Sequence, residues 1–125
     1  MGIVLPWQAH VNVITCALSN GDVELAKEVE RKGLSHAGMR PPARRLAAQA
    51  WIKFVVGDGG WVHQAEKAMK EARRIGSLDN QPIFHPGFVK ALLNAGAEGN
   101  DEAARFSVRA EAVLGRFYTG TNSSV

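Results

Sequence analysis

A short motif recurs along this chain at a constant interval of 39 residues, and a repeat at that interval constrains a fold more tightly than composition does. The segments are Gly21-Asp22-Val23-Glu24-Leu25-Ala26, Gly60-Trp61-Val62-His63-Gln64-Ala65 and Gly99-Asn100-Asp101-Glu102-Ala103-Ala104. Gly21, Gly60 and Gly99 fall in register, as do Ala26, Ala65 and Ala104. A glycine at such a place ends one helix in a left-handed conformation that other residues reach only at a cost. Asp22, Asp58 and Asn100 or Asp101 offer the short side-chain acceptors that cap the next helix. Each alanine then sits in the first turns of that second helix, where a methyl group allows close approach of two backbones.

Helix-period stretches precede each glycine, at Val11 to Ala17, Leu46 to Val56 and Phe88 to Ala95. In the 39-residue register, Val13, Ile52 and Ala91 make one apolar column and Ala17, Val56 and Ala95 another, four residues further on and so on the same helical face. The second helices are expected from about Val23 to Leu34, Trp61 to Ile75 and Asp101 to Phe117, with Val62, Ala65, Met69 and Ala72 spaced as a buried stripe. Between hairpins stand Gly38-Met39-Arg40-Pro41-Pro42 and Gly76 to Pro82, with a second break at Pro86. The expected architecture is all-α, a short α-solenoid of three helix-turn-helix hairpins over 10–118 (about 10–40, 43–78 and 84–118). An apolar leader precedes it at 1–9, and a polar tail of small residues follows at 119–125. Three such units are about the minimum for a stable stack.

The first unit, Gly21-Asp22-Val23-Glu24-Leu25-Ala26-Lys27-Glu28-Val29 followed by Ala37-Gly38-Met39-Arg40-Pro41, resembles the second half of a pentatricopeptide repeat. Ala65-Glu66-Lys67-Ala68 and Arg73-Arg74-Ile75-Gly76 of the second unit are similar but looser, and the resemblance spans roughly 11–117. It implies single-stranded RNA binding, one base per repeat, by side chains near the start of each first helix and at the repeat's end, mostly in organelles. The chain departs from that family in its interval, 39 residues rather than about 35, and in its first-helix column, Asn12, Trp51 and Lys90, of which only Asn12 is a familiar base-reading type. A tetratricopeptide-like, protein-binding hairpin array fits the same residues.

Charge is unevenly spread. Residues 40–74 hold eight basic side chains against three acidic: Arg40, Arg44, Arg45, Lys53, Lys67, Lys70, Arg73 and Arg74. The flanking stretches hold three against four and four against five. A clustered patch of this kind attracts phosphates or an acidic protein, although Lys and Arg also fill solvated helix faces to no further purpose. Tryptophan is enriched at binding hot spots. Core packing is the default for Trp51 and Trp61, whereas Trp7, in the leader Ile3-Val4-Leu5-Pro6-Trp7, is a candidate for docking on a partner.

Chemistry is sparse. His10, His36, His63 and His85 lack the i, i+4 spacing of a helical metal pair, and the single cysteine, Cys16, cannot complete a zinc site or an internal disulfide. Cys16 lies in an apolar helical stretch with no basic neighbour within a turn, so core packing is its expected role. Phosphate-loop and nucleophile-elbow motifs are missing. Gly57-Asp58-Gly59-Gly60 lacks the preceding strand of a dinucleotide loop and is read as an inter-helix turn. We therefore expect no catalysis, cofactor, metal or small-molecule substrate. No apolar run reaches the roughly 18 to 20 residues that span a bilayer. The start carries no export or lipid address, and one cysteine suits a reducing interior: cytosol, mitochondrion or plastid. The leading expectation is a helical-repeat adaptor for a protein partner; the alternative is an RNA-binding protein using the basic middle repeat.

Overall fold

A computed structural model of the chain describes residues 7–33, 43–75 and 83–114, and these form six helices with no strand among them. They are α1 (Trp7–Ser19), α2 (Val23–Gly33), α3 (Ala43–Val55), α4 (Trp61–Ile75), α5 (Pro86–Ala97) and α6 (Asp101–Leu114). Each sequential pair, α1 with α2, α3 with α4 and α5 with α6, packs together most extensively. Further contacts join α1 and α2 to α3, and α4 to α6. Residues 7–9, expected in the leader, open α1 instead. Pro86, expected to break the chain, is the first residue of α5, where its missing N–H costs nothing, and His85 caps that helix by accepting the Gly87 N–H on Nδ1 at 2.9 Å. The remaining leader, the linkers at 38–42 and 76–82, and the tail lie outside the described residues.

The three hairpin turns share one hydrogen-bond pattern. Asp22, Asp58 and Asn100 donate their N–H groups to the carbonyls of Ala17, Lys53 and Ala95, at 2.8, 2.8 and 2.9 Å. The preceding glycines donate to Leu18, Phe54 and Gly96. This is the Schellman closure, and it requires a left-handed residue at its corner. Those residues are Gly21 (φ +79°), Gly57 (φ +82°) and Gly99 (φ +107°). Gly57, not Gly60, is therefore the counterpart of the other two, and the corners stand 36 and 42 residues apart rather than a constant 39. The cause is local. Asp58 Oδ1 accepts the Gly60 N–H at 2.8 Å in an Asx turn, which inserts Gly59 and Gly60 before α4 can begin. Asp22 and Asn100 instead cap α2 and α6 directly, accepting from Leu25 and Ala103 at 3.2 and 3.0 Å.

Register taken from these turns sorts the first helices cleanly. Val11, Ala47 and Val89 become one column and Ile14, Ala50 and Leu92 another, and all six are at most 6% exposed. The columns drawn at 39 residues do not hold. Val13 and Val56 are exposed while Ile52 and Ala17 are buried. Ala26 and Ala65 are fully buried, but in the first turn of α6 the fully buried alanine is Ala103, and the half-buried Ala104 packs against Gly96 of α5. Cys16 is exposed, not packed in the core. It projects from the face of α1 opposite Val11, Ile14 and Leu18, in a stretch whose apolar residues run right around the helix.

The two joints between hairpins differ in chemistry. At the first, Glu30 Oε2 on α2 accepts from Arg45 Nη2 (3.2 Å) and Gln49 Nε2 (2.7 Å) of α3, and Gln49 Oε1 accepts from Gln64 of α4. At the second, rings interlock. Trp51 lies face to face with Phe88 (5.8 Å, 18°), Phe54 and Phe106 meet Trp61 edge-on at 5.1 and 5.4 Å, and Phe84 bridges Phe88 and Phe106. Trp51 and Trp61 are 3% and 4% exposed, which places both in the core. Edge-to-face and offset ring pairs contribute about 0.5–1.5 kcal/mol each beyond area burial.

Candidate functional site

α4 buries Trp61, Ala65, Ala68, Met69 and Ala72 along one stripe, a three- and four-residue spacing that turns His63, Lys67, Lys70, Arg73 and Arg74 to solvent. α6 does the same with Ala103, Phe106 and Ala110 inward and Arg105, Val108 and Arg109 outward. The Trp61–Phe106 contact sets the two helices side by side, and Arg109 Nε donates to Glu66 Oε2 across them at 2.8 Å. Between the two outward faces runs an open trough of about 610 Å³.

Its charge is concentrated. Lys67, Lys70, Arg73, Arg74 and Arg109 line it with Glu66 as the one carboxylate, a formal excess of four. The whole chain carries +3, so everything outside the trough sums to −1. Lys67, Lys70 and Arg73 pair with no carboxylate among the described residues. Arg74 is forked by Glu71, Nε to Oε1 at 3.2 Å and Nη2 to Oε2 at 2.8 Å, and that hydrogen bonding raises its already high pKa. Since a lysine or arginine in the last turn of a helix also faces the negative end of the macrodipole, Arg73 and Arg74 are well placed on α4.

The eight basic residues clustered in the sequence thus do not form one patch. Arg45 is 8% exposed and turned inward to Glu30. Lys53 is tied at a hairpin tip to Asp58 (3.4 Å), whose carboxyl is held below its usual range first by the Gly60 N–H and then by that lysine. Arg40 lies outside the described residues. Arg44 lines a separate small pocket with Asn12 and Thr15 of α1, floored by Trp51, Phe84 and Phe88 and bordered by His85. That pocket holds about 150 Å³, room for a single side chain and well under the roughly 300 Å³ at which ligand sites begin. In the register of the turns the column of Asn12 reads Asn12, Ala48 and Lys90. Trp7 opens α1, and its side chain is outside the described set. Among the described residues, of these candidates only Lys67, Lys70, Arg73 and Arg74 are brought together.

Sequence reasoning missed Arg109, Glu66 and His63 as trough residues. Arg105 and Arg109, at i and i+4, do mark the polar face of α6. Assigning that face to the α4 cations depends on knowing that α6 lies beside α4, which periodicity does not supply. Among the described residues no three His, Cys, Asp or Glu side chains gather as a metal group would need, and no helix is long and apolar enough to cross a membrane. Compared with protein families, with characterised proteins and with solved structures, the chain matches none of them.

Proposed function

We propose that the protein is a non-catalytic adaptor, three helical hairpins stacked as a short α-solenoid, that holds an acidic protein partner in the trough between α4 and α6. The observation that carries this reading is the convergence of five cations in an open trough, two of them held by Glu66 and Glu71 and three with no carboxylate partner among the described residues. Cationic surfaces attract any polyanion. What favours protein over single-stranded RNA is the placement of the rings: Trp51, Trp61, Phe84, Phe88 and Phe106 are buried, and among the described residues no aromatic ring lines the trough. Sequence-tolerant RNA binding leans on base stacking against exposed aromatics, which contributes about 1–3 kcal/mol per base.

Fluorescence anisotropy separates the two, with a labelled glutamate-rich peptide and a random single-stranded RNA pool, each at low and near-physiological salt. The adaptor reading expects the peptide to bind, with an affinity that weakens as salt screens the exposed cations but stays measurable near physiological salt. It expects a Lys67→Ala/Lys70→Ala/Arg73→Ala variant to lose at least about tenfold, or 1.4 kcal/mol, and Glu66→Gln, which removes the opposing charge, to bind tighter. RNA binding that persists at that salt while the peptide does not bind would replace the adaptor with the nucleic-acid reading.

A further inference from the structure

We infer that the trough between α4 and α6 selects a phosphorylated residue within its acidic partner, an inference that rests on the adaptor reading and names the group the trough is built to take. The argument starts from charge density. Lys67 and Arg74 stand seven positions apart on α4, about 10 Å of helix axis. A peptide laid along it in an extended conformation places a side chain on the same face every second residue, about 7 Å apart. Such a segment offers about two carboxylates over that length, against an excess of three charges once Glu66 and the Glu71 that forks Arg74 are both set against the five cations. A phosphoserine or phosphothreonine carries about −1.5 to −2 on one side chain, with three strong acceptor oxygens, and closes that gap from a single position.

The donors are also arranged for such a group. Glu71, itself 9% exposed, forks Arg74 through Nε and Nη2, and Glu66 holds Arg109 through Nε alone. The Arg74 guanidinium is thereby held by two bonds and that of Arg109 steered by one, yet they stay half or more exposed, at 50% and 64%, with further N–H groups left to donate. A guanidinium has five N–H donors in a planar fork, and its charge-assisted bonds to phosphate are about twice as strong as neutral ones. Holding the side chain beforehand removes part of the ordering cost that a free arginine meets on binding. Lys67, Lys70 and Arg73 then supply mobile charge around the fixed donors.

The test uses the full chain at near-physiological salt and a labelled twelve-residue peptide with three glutamates around one central position, which is phosphoserine, serine or glutamate. The phosphoserine peptide is expected to bind about tenfold or more tightly than the serine form, and the glutamate form to gain no more than about threefold. The preference should collapse in Arg73→Gln/Arg109→Gln, both exposed positions, with unchanged helical circular dichroism as the check on folding. Equal affinity for the three peptides would overturn the phosphate inference and leave the adaptor standing. Failure of all three to bind would sink both. Displacement of the phosphopeptide by single-stranded RNA more effectively than by its own unlabelled form would also overturn the inference, since the trough would then belong to a nucleic-acid backbone.

Discussion

Replacing Gly87 with alanine tests how the third hairpin is seated. A Cβ at that position would lie 2.8 Å from Trp51 Cη2, 3.1 Å from Cζ2 and 3.1 Å from His85 Nδ1. Ordinary contact between carbons is about 3.5–4.0 Å, so the indole would have to give by roughly 0.7 Å. It has little room to do so. Trp51 is 3% exposed and stacked on both His85 (5.2 Å, 24°) and Phe88 (5.8 Å, 18°). Forcing a methyl into a packed core costs about 1–3 kcal/mol. Alanine regains up to about 1 kcal/mol in helix propensity, and less near a helix start. The net expectation is a loss of about 1–2 kcal/mol. At about 3–5 °C per kcal/mol for a chain of this size, that is a fall in Tm of roughly 4–8 °C. Gly59→Ala is the control: its Cβ would meet nothing within 4 Å, and a change within about 0.5 kcal/mol is expected. Urea unfolding followed by tryptophan emission and helical circular dichroism gives both values. A Gly87→Ala protein that melts at or above the wild type, beside an unchanged Gly59→Ala, would show that α5 does not press on Trp51 as described.

Two further outcomes follow from the joints and the caps. Arg45→Ala strips one partner from a pair in which Arg45 and Glu30 side chains are 10% and 17% exposed. Loss of about 2–4 kcal/mol is expected in denaturant unfolding, most of it regained when Glu30 is made Met together with Arg45→Met; a loss under about 0.5 kcal/mol would mean that the pair is solvated. Burial holds the His85 imidazole below its usual range, and Nδ1 must be bare to accept the Gly87 N–H. The unfolded chain takes up that proton near pH 6.5, the folded one only at lower pH. Between the two the unfolded state binds more protons, so stability is fully present above about pH 6.5 and declines on acidification until the folded value is passed. His85→Asn keeps a capping acceptor and should remove this component from the Tm–pH curve; an unchanged slope would count against it.

Helix order and most helix boundaries were legible in the sequence because they rest on local physics. A three- and four-residue apolar spacing and a glycine-then-acceptor turn announce themselves within a dozen residues, and α4 runs from Trp61 to Ile75 as the spacing predicts. The register between units was not legible. Gly57 and Gly60 both suit the corner of the second turn, and only the Asx turn at Asp58, a three-residue hydrogen-bond choice, decides between them. Cys16 was misplaced because the α1 sequence is apolar on more than one face, so that periodicity does not say which face is covered. The trough was half legible. Its α4 wall is written in one helix, whereas the Arg109 wall comes from a residue 35 positions beyond Arg74 and depends on how two hairpins meet. Arg45 shows the converse: neighbouring arginines at 44 and 45 look alike in a charge count and differ wholly in surroundings.

A chain of hairpins joined once by a nearly buried Glu30–Arg45–Gln49 network beside Val11 and Ile14, and once by a cluster of rings, does not depend on the same chemistry at both places. Apolar burial holds both joints, and the first adds a charge pair that must stay intact, because losing either member strands the other. Both walls of the trough belong to α4 and α6, which meet at the ring cluster, so the spacing of its cations rests on Trp61 and Phe106 and not on the first hairpin.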